Sequence, residues 1–351
     1  MGETRLPEGY TAERIEIRRA GDELIAEVND LMNVIAAEAR PELAGRPAAE
    51  AINSVRHLRK KFEDWTTLVR DPAGTLVARA YGGVDRDGDN QHVFDVEIAV
   101  VPSHRRQRIG AWCLGQAVLA ANRTGATLFI GSTDSTVTCG EAFAKWAGFE
   151  LALSERESDL ALADLDWEMV DRWVDEGPGR APGYALEFID GIYPEELYDD
   201  IIAWQNVMND APRGDLDVND DHGSHEKLAE YEARLATSAV TRLEYIARHL
   251  DSGAVIGGTN VYYEQWTPAL LWQGATAVHP DHRGHALGKW LKAAMLQKVR
   301  VLLPEVQVVT TGNAYSNDPM LGINNKLGFK ETRAYLNWQG KTAQVQARID
   351  R

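Results

Sequence analysis

The chain has 351 residues, too many for one ordinary compact core, and its 44% hydrophobic content is enough to fill two. With 37 basic and 53 acidic residues the formal charge is −16. That field excludes a general attraction to nucleic acid or to an anionic membrane surface and favours a cationic or amine-bearing small partner. The opening MGETRLPEGYTAER has no apolar leader, and no run of about 18 apolar residues occurs anywhere, so a cytoplasmic protein without a membrane span is expected. Two cysteines, Cys113 and Cys139, supply neither a disulfide framework nor a Cys-x-x-Cys pair and read as buried thiols.

In chain order, the first half offers a turn in RDPAGTLVA (residues 70–78) and a strand, FDVEIAV, that carries Glu97. VVPSHRRQRIGAWCLGQAV (100–118) follows, where an apolar strand ends at Pro102 and the chain re-enters a helix. DEGPGRAPG (175–183) holds three glycines and two prolines and reads as a linker, so domains are expected at 1–165 and 184–351 with a connection at 166–183. Beyond it, YALEFI from Tyr184 is a strand, Pro194 opens a helix before Glu195 and Glu196, and a second helix runs near His225–Ala236. LEYIARH and AVIGGTNVYY flank Asp251-Ser252-Gly253 and form a hairpin. A strand over Leu270–Val278 leads into a helix from Gly284, on which Leu287, Trp290, Leu291 and Ala294 share one face. The strand VQVVTT, a helix near Asp318 and a closing strand after Phe329 complete the series.

The second half repeats the first. Pro102 and Pro280 lie 178 positions apart, and at that spacing Val100 meets Val278, Arg105 meets Arg283, Gly110 meets Gly288 and Trp112 meets Trp290. Gly148-Phe149 matches Gly328-Phe329, and the turn at Gly74 matches that at Gly253, with the small drift that loop insertions produce. The chain is therefore a tandem duplication.

A strand that ends in proline and enters a helix through small residues exposes several backbone N–H groups at the positive end of the helix dipole, which is an anion site. VHPDHRGHALGKWLKAAM (278–295) has this layout, and a pyrophosphate fits the length of its turn. It is not a Walker loop, since no Gly-Lys-Ser/Thr follows, and it lacks a complete G-x-G-x-x-G. A turn softened by glycine is the alternative reading. His279, His282 and His285 recur every three residues, but they straddle a proline loop rather than one helix face and no carboxylate pair completes a shell, so no metal is expected.

The same residues resemble the acetyl-coenzyme A loop of the GCN5-related N-acetyltransferases, Arg/Gln-x-x-Gly-x-Gly/Ala after a strand ending V-x-P. Arg283, Ala286 and Gly288 occupy the pattern positions, and Arg105, Arg108 and Gly110 do so in the first half, where a long side chain replaces the central glycine. A second family element places an Asn seven residues before a Tyr that lies four before Gly-Phe; here these are Asn317, Asn324 and Gly328-Phe329, with Asn in place of Tyr. In the first half the two positions are Val137 and Ala144. The tandem layout is similar to that of mycothiol synthase. The resemblance implies an α/β fold (α+β, mixed sheet) in two tandem GNAT acyl-CoA N-acyltransferase domains, the first degenerate and the second catalytic. It implies acetyl-CoA (coenzyme A) held by Val278, Arg283, Gly284, His285, Ala286, Leu287, Gly288, Lys289 and Asn317. The pantetheine arm would lie between splayed strands at Leu270–Val278 and 306–311.

Acetyl transfer to an amine needs a base, a donor for the developing oxyanion and a fate for the thiolate. A backbone N–H around Val278 is the candidate oxyanion donor. Asn324 stands where relatives carry the acid, and Tyr315 is a possible substitute. Glu97 is the candidate base, in the first half, with Ala275 at the aligned position of the second. Asp215, Asp217, Asp220 and Asp221 form an acidic run that could collar a cationic acceptor beside the second loop, or could simply be solvated. The expected activity is N-acetylation of a primary amine on a small molecule by a monomer or homodimer. Two alternatives stay open: the first repeat is the catalytic one, through Glu97, or the chain binds acyl-CoA or a cationic ligand without turnover.

Overall fold

The computed structural model describes residues 5–350. They fall into two compact units. Of the described residues, unit 1 takes those up to Ser154, the short segment Gly214–Asp220 and those from Ala334 onward; unit 2 takes Glu155–Arg213 and Asp221–Arg333.

The strands of unit 1 are β1 (Thr11–Ile15), β2 (Phe62–Arg70), β3 (Leu76–Asp85), β4 (Val93–Val100) and β5 (Leu128–Asp134), and its helices are α1 (Asp22–Ala39), α2 (Ala48–Arg56), α3 (Ile109–Thr124) and α4 (Thr138–Ala147). Strand β6 (Glu150–Ala161) and helix α5 (Trp167–Arg180) follow. Unit 2 then supplies β7 (Tyr184–Asp190), α6 (Tyr198–Asn206), α7 (His225–Ala236), β8 (Val240–His249), β9 (Val255–Glu264), β10 (Leu270–Val278), α8 (Leu287–Leu302), β11 (Val308–Ala314) and α9 (Asp318–Leu327), before β12 (Lys330–Lys341) and α10 (Thr342–Ile349) end the described chain.

Each half lends its last strand and helix to the other half's unit. In unit 1 the sheet order is β1-β2-β3-β4-β5-β12, with Leu336 of β12 antiparallel to Thr133 of β5. In unit 2 it is β7-β8-β9-β10-β11-β6, with Leu160 of β6 antiparallel to Val309 of β11. The helices travel with the strands. Val345 of α10 is fully buried in the core beneath α3, and Val170 of α5 is fully buried in the core beneath α8. The contiguous domains expected at 1–165 and 184–351 therefore do not coincide with the compact units. The expected linker is itself mostly helix: Asp166 caps α5 by accepting from the Met169 amide at 3.0 Å, and α5 runs through Gly177 and Pro178 against α8.

Both sheets are antiparallel except at one place, where β4 runs parallel to β5 and β10 parallel to β11. These pairs separate part-way along. Ladder pairing holds only from Val93 to Asp95 of β4 and from Leu270 to Gln273 of β10, so the remainder of each strand splays from its parallel neighbour. Alternation along β8 assigns the faces: Leu243 packs with the α8 core, while Ile246 packs with Ile201 and Trp204 of α6 and Leu228 of α7. The helix expected from Gly284 begins at Leu287, because the chain is held out of helical geometry at two residues before it.

Candidate active site

The loop between β10 and α8 is shaped by two left-handed residues. Gly284 has φ 88° and Ala286 has φ 59°. The first suits glycine; the second is an alanine held where a Cβ is disfavoured by roughly 1–2 kcal/mol. The Arg283 guanidinium braces the turn by donating Nε–H to the Val278 carbonyl at 2.9 Å, and it also reaches Asp210 at 3.2 Å. Among the described residues no backbone carbonyl takes up the N–H groups of 284–288, whereas Lys289 N and Trp290 N both return to the Ala286 carbonyl at 3.1 Å. Five consecutive amides at the entrance of a sixteen-residue helix thus lack a backbone partner.

The electrostatics around these amides favour an anion. Lys289 lies on the first turn of α8, and its ammonium is held below the usual lysine range by burial first, then by Lys326 and Arg180. Glu176 is paired with Arg180 at 2.8 Å. An open pocket beside the loop is lined by Trp173 and Arg180 of α5 together with His285, Ala286 and Lys289. A phosphorylated group here would meet donors and cations at once, so the residues present fit the pyrophosphate of coenzyme A.

Unit 1 builds the same loop from different residues. Arg106 has φ 63° and Arg108 has φ 66°, the positions aligned with Gly284 and Ala286, and Arg105 Nε–H donates to the Val100 carbonyl at 2.9 Å. The long side chain of Arg108 therefore does not alter the backbone path. No carboxylate pairs with Arg106 or Arg108 among the described residues, leaving two cations on the loop. Cys139, expected as a buried thiol, is exposed and accepts a contact from Arg105 at 3.2 Å; Cys113 is fully buried and its thiol is pushed up to about 12 by desolvation.

The remaining candidates are placed as follows. Val278 ends β10 opposite Gly257. Asn317 caps α9, its side chain accepting from the Met320 amide at 3.4 Å. Asn324 is buried and donates to Asn313 Oδ1 at 2.7 Å, while its own Oδ1 meets no donor. An amide has no acidic proton to give, so Asn324 does not replace the missing tyrosine as an acid. Tyr315 is half-exposed and donates its hydroxyl to Glu331. Burial and that carboxylate push its phenol up to about 12, which weakens it as a proton donor to a thiolate.

Glu97 lies on β4 opposite Tyr81, beyond the last residue paired with β5. Its carboxylate is half-exposed and 3.4 Å from the Arg79 guanidinium. The aligned Ala275 of unit 2 packs instead in the cluster around Trp204 and Ile201. That face of unit 2 is filled. Asn260 Oδ1 lies 2.3 Å from where a Cβ on Gly274 would sit, so a larger residue there would have to displace the Asn260 side chain, and Trp204 donates to the buried Glu244 at 2.6 Å. Glu244 also takes the Tyr193 hydroxyl, and Arg242 beside it pairs with Glu232 at 2.7 Å.

The four aspartates divide between the units. Asp215, Asp217 and Asp220 ride on the segment that belongs to unit 1, where Asp215 N donates to the Ala152 carbonyl at 2.8 Å and Asp217 N to Gln339 Oε1 at 2.8 Å. Asp221 belongs to unit 2 and pairs with Lys227 at 3.0 Å. The expected collar of four carboxylates is thus split by long-range contacts that composition does not reveal. Among the described residues no group of three or more His, Cys, Asp or Glu is placed to hold a metal ion, and no helix is long and apolar enough to cross a membrane.

No protein-family model and no curated protein matches the chain. Solved structures do. A tandem GNAT protein from the clavulanic acid biosynthesis pathway is 25% identical, covers 95% of this chain and 98% of its own length, and superposes with a TM-score of 0.77. A GCN5-related N-acetyltransferase from Sphaerobacter thermophilus is 14% identical with a TM-score of 0.64, covering 96% of this chain and 97% of that one. A putative acetyltransferase from Pyrococcus horikoshii is 10% identical with a TM-score of 0.54, covering 97% and 92%. The fold is that of a tandem GCN5-related N-acetyltransferase, and acyl transfer is the chemistry that fold supports.

Proposed function

We propose that the chain transfers an acetyl group from acetyl-coenzyme A to a primary amine of a small molecule. The observation that carries this reading is the pairing, in each unit, of a splayed parallel strand pair with a helix entrance whose amides are unclaimed. In unit 2 the amides of 284–288 with Lys289 would hold the diphosphate; in unit 1 those of 106–110 with Arg106 and Arg108 would do so. Bound acetyl-coenzyme A supplies the thioester. The chain orients it, polarises its carbonyl and removes a proton from the amine. No protein acid is required for the leaving group, since a thiol with a reference pKa of about 8.5 departs largely as thiolate.

Unit 1 is the better candidate for the transfer step. Glu97 stands on an accessible sheet face beyond the point where β4 leaves β5, and three aspartates of the acidic run belong to the same unit, which suits a cationic acceptor. A second reading keeps the transfer in unit 2. It is favoured by the register shift between Gln273 and Thr276, because a bulge beside the splay turns a backbone amide out of the ladder.

Thiol release with acetyl-coenzyme A and a panel of mono- and polyamines tests both readings. Glu97→Gln should lower kcat/KM by about 10²-fold with little change in cofactor affinity if unit 1 transfers. Arg108→Asp and Ala286→Asp place a carboxylate at each diphosphate position in turn. Aspartate tolerates the left-handed backbone, so each should silence one loop without unfolding it. Turnover lost with Ala286→Asp but unchanged by Glu97→Gln would move the chemistry to unit 2. No thiol release with any amine would leave a binding protein.

A further inference from the structure

The loop of unit 2 is backed by a cluster of aromatic titratable rings that the transfer chemistry does not use. Tyr184 of β7 bonds His282 Nδ1 at 2.9 Å, and its ring lies 5.3 Å from His249 and 5.4 Å from His285. His282 is 5.1 Å from His249 and 5.9 Å from His279. Four imidazoles therefore gather on and behind the turn that presents the free amides, and His285 itself lines the pocket with Lys289.

Unit 1 has the same framework without the other histidines. Tyr10 bonds His104 Nδ1 at 2.8 Å, as Tyr184 bonds His282. At the positions of His279 and His285 stand Val101 and Gln107. Asp71 replaces His249, each opening the same hairpin turn, and lies 4.0 Å from His104. One loop is thus backed by a single histidine beside a carboxylate, the other by four histidines.

We propose that the histidine cluster makes the second loop a proton-dependent phosphate subsite, which holds the phosphates of coenzyme A more tightly as pH falls from about 8 to about 6; this rests on the coenzyme A reading. Imidazole is the side chain that changes charge in this range. The other charges facing the cluster are few. Asp281 is 3.8 Å from His279, Asp210 is engaged by Arg283, Ser252 bonds His249 at 2.9 Å, and Glu176 is taken by Arg180, while Lys289 and Lys326 add positive charge. His282 is held below the usual histidine range by burial first, then by His249 and His279. The free loop resists protonation there, and a polyanion on the amides would reverse that balance and draw protons in. By linkage, each proton taken up on binding changes the dissociation constant by up to about tenfold per pH unit.

Calorimetric titration of the full chain carrying Arg108→Asp, which leaves the second loop as the binding site, reads the effect with dephospho-coenzyme A. That ligand lacks the phosphomonoester whose own ionisation near pH 6 would overlap. Affinity should rise by about tenfold or more between pH 8 and pH 6, with proton uptake visible as a dependence of the heat on buffer ionisation enthalpy. The double variant His249→Asp, His279→Val installs the residues of unit 1 behind the loop, leaves the pocket-lining His285 in place, and should bind at pH 8 but lose most of the pH dependence. Binding that is independent of pH, or a pH dependence that the double variant leaves unchanged, overturns the inference alone. No binding of coenzyme A or its dephospho form to the unsubstituted chain at any pH removes the coenzyme A reading with it.

Discussion

Replacing Lys292 with leucine should stabilise the protein, and by an amount that depends on pH. Lys292 sits in the middle of α8, 2% exposed, with its ammonium 5.5 Å from the Phe329 ring and no hydrogen bond or ion pair among the described residues. Desolvation pulls its pKa from 10.5 down to about 7. The aligned residue of unit 1 is Leu114, 1% exposed in the equivalent core, so the fold accepts leucine at this point. Between pH 7 and 10.5 the unfolded chain carries a proton that the folded chain lacks, so stability rises with pH; below 7 both are protonated and the full penalty applies. At about 1.4 kcal/mol per pH unit the displacement amounts to about 5 kcal/mol in acid, falling to about 1–2 kcal/mol near pH 9.5. Lys292→Leu should therefore gain about 4–5 kcal/mol near pH 6.5 and about 3 kcal/mol less near pH 9.5, read by urea unfolding of the transition that includes unit 2. A gain that does not change with pH, or a loss at both values, would refute the reasoning by showing that the amine is solvated or paired.

Three other outcomes follow from the same structure. A chain ended after Arg333 loses the part of β12 that pairs with β5 together with α10, and hydrogen exchange should show protection collapsing in β5 and α3 while β8 to β10 stay protected; uniform loss, or loss confined to unit 2, would contradict the exchange of strands. Arg242→Met leaves the buried Glu232 and Glu244 without their cation and should cost about 3–5 kcal/mol in urea unfolding, with Arg242→Lys recovering part of it. Ala286→Gly relieves a left-handed alanine and should raise stability by about 0.5–1 kcal/mol with coenzyme A affinity intact. A fall in stability there would mean that the methyl group is packed rather than strained.

The local elements of the second half were legible in the sequence because each is set by short-range patterns. The hairpin around Asp251-Ser252-Gly253, the helix His225–Ala236 and the strand Leu270–Val278 all follow from apolar periodicity and turn chemistry. What failed was non-local or left-handed. Glycine and proline at 177–179 read as a linker, yet α5 continues through them. The helix from Gly284 starts three residues late because Ala286, a good helix former, is held at positive φ by the loop. The acidic run reads as one collar, but contacts to Gln339 and Ala152 carry three of its aspartates into unit 1. The histidines of the loop are plain in the sequence; their company, Tyr184 and His249, arrives from other strands.

The exchange of terminal strands is the feature that sequence could least supply, and the reason is the duplication itself. β6 and β12 are copies, each twelve residues long, and each follows a helix closed by the same contact, Phe149 N to the Ala144 carbonyl and Phe329 N to the Asn324 carbonyl. A sheet edge recognises a strand by its backbone and by which face its apolar residues occupy; the two strands are equal in length but differ in side chains, Leu160 of β6 standing where β12 has Gly340 and Ser158 where it has Trp338. The choice then falls to details such as Trp338, whose indole donates to Thr133 in unit 1, and Arg156 of β6, whose guanidinium donates to Asn325 Oδ1 at 2.8 Å in unit 2. Because β12 completes the sheet that carries Glu97 and β6 completes the sheet that carries the histidine-backed loop, each half holds the last strand of the other's candidate site. The first loop has no finished sheet behind it until the C-terminal strand has been made and has paired with β5, whereas the sheet behind the second loop is complete once β6 to β11 have folded.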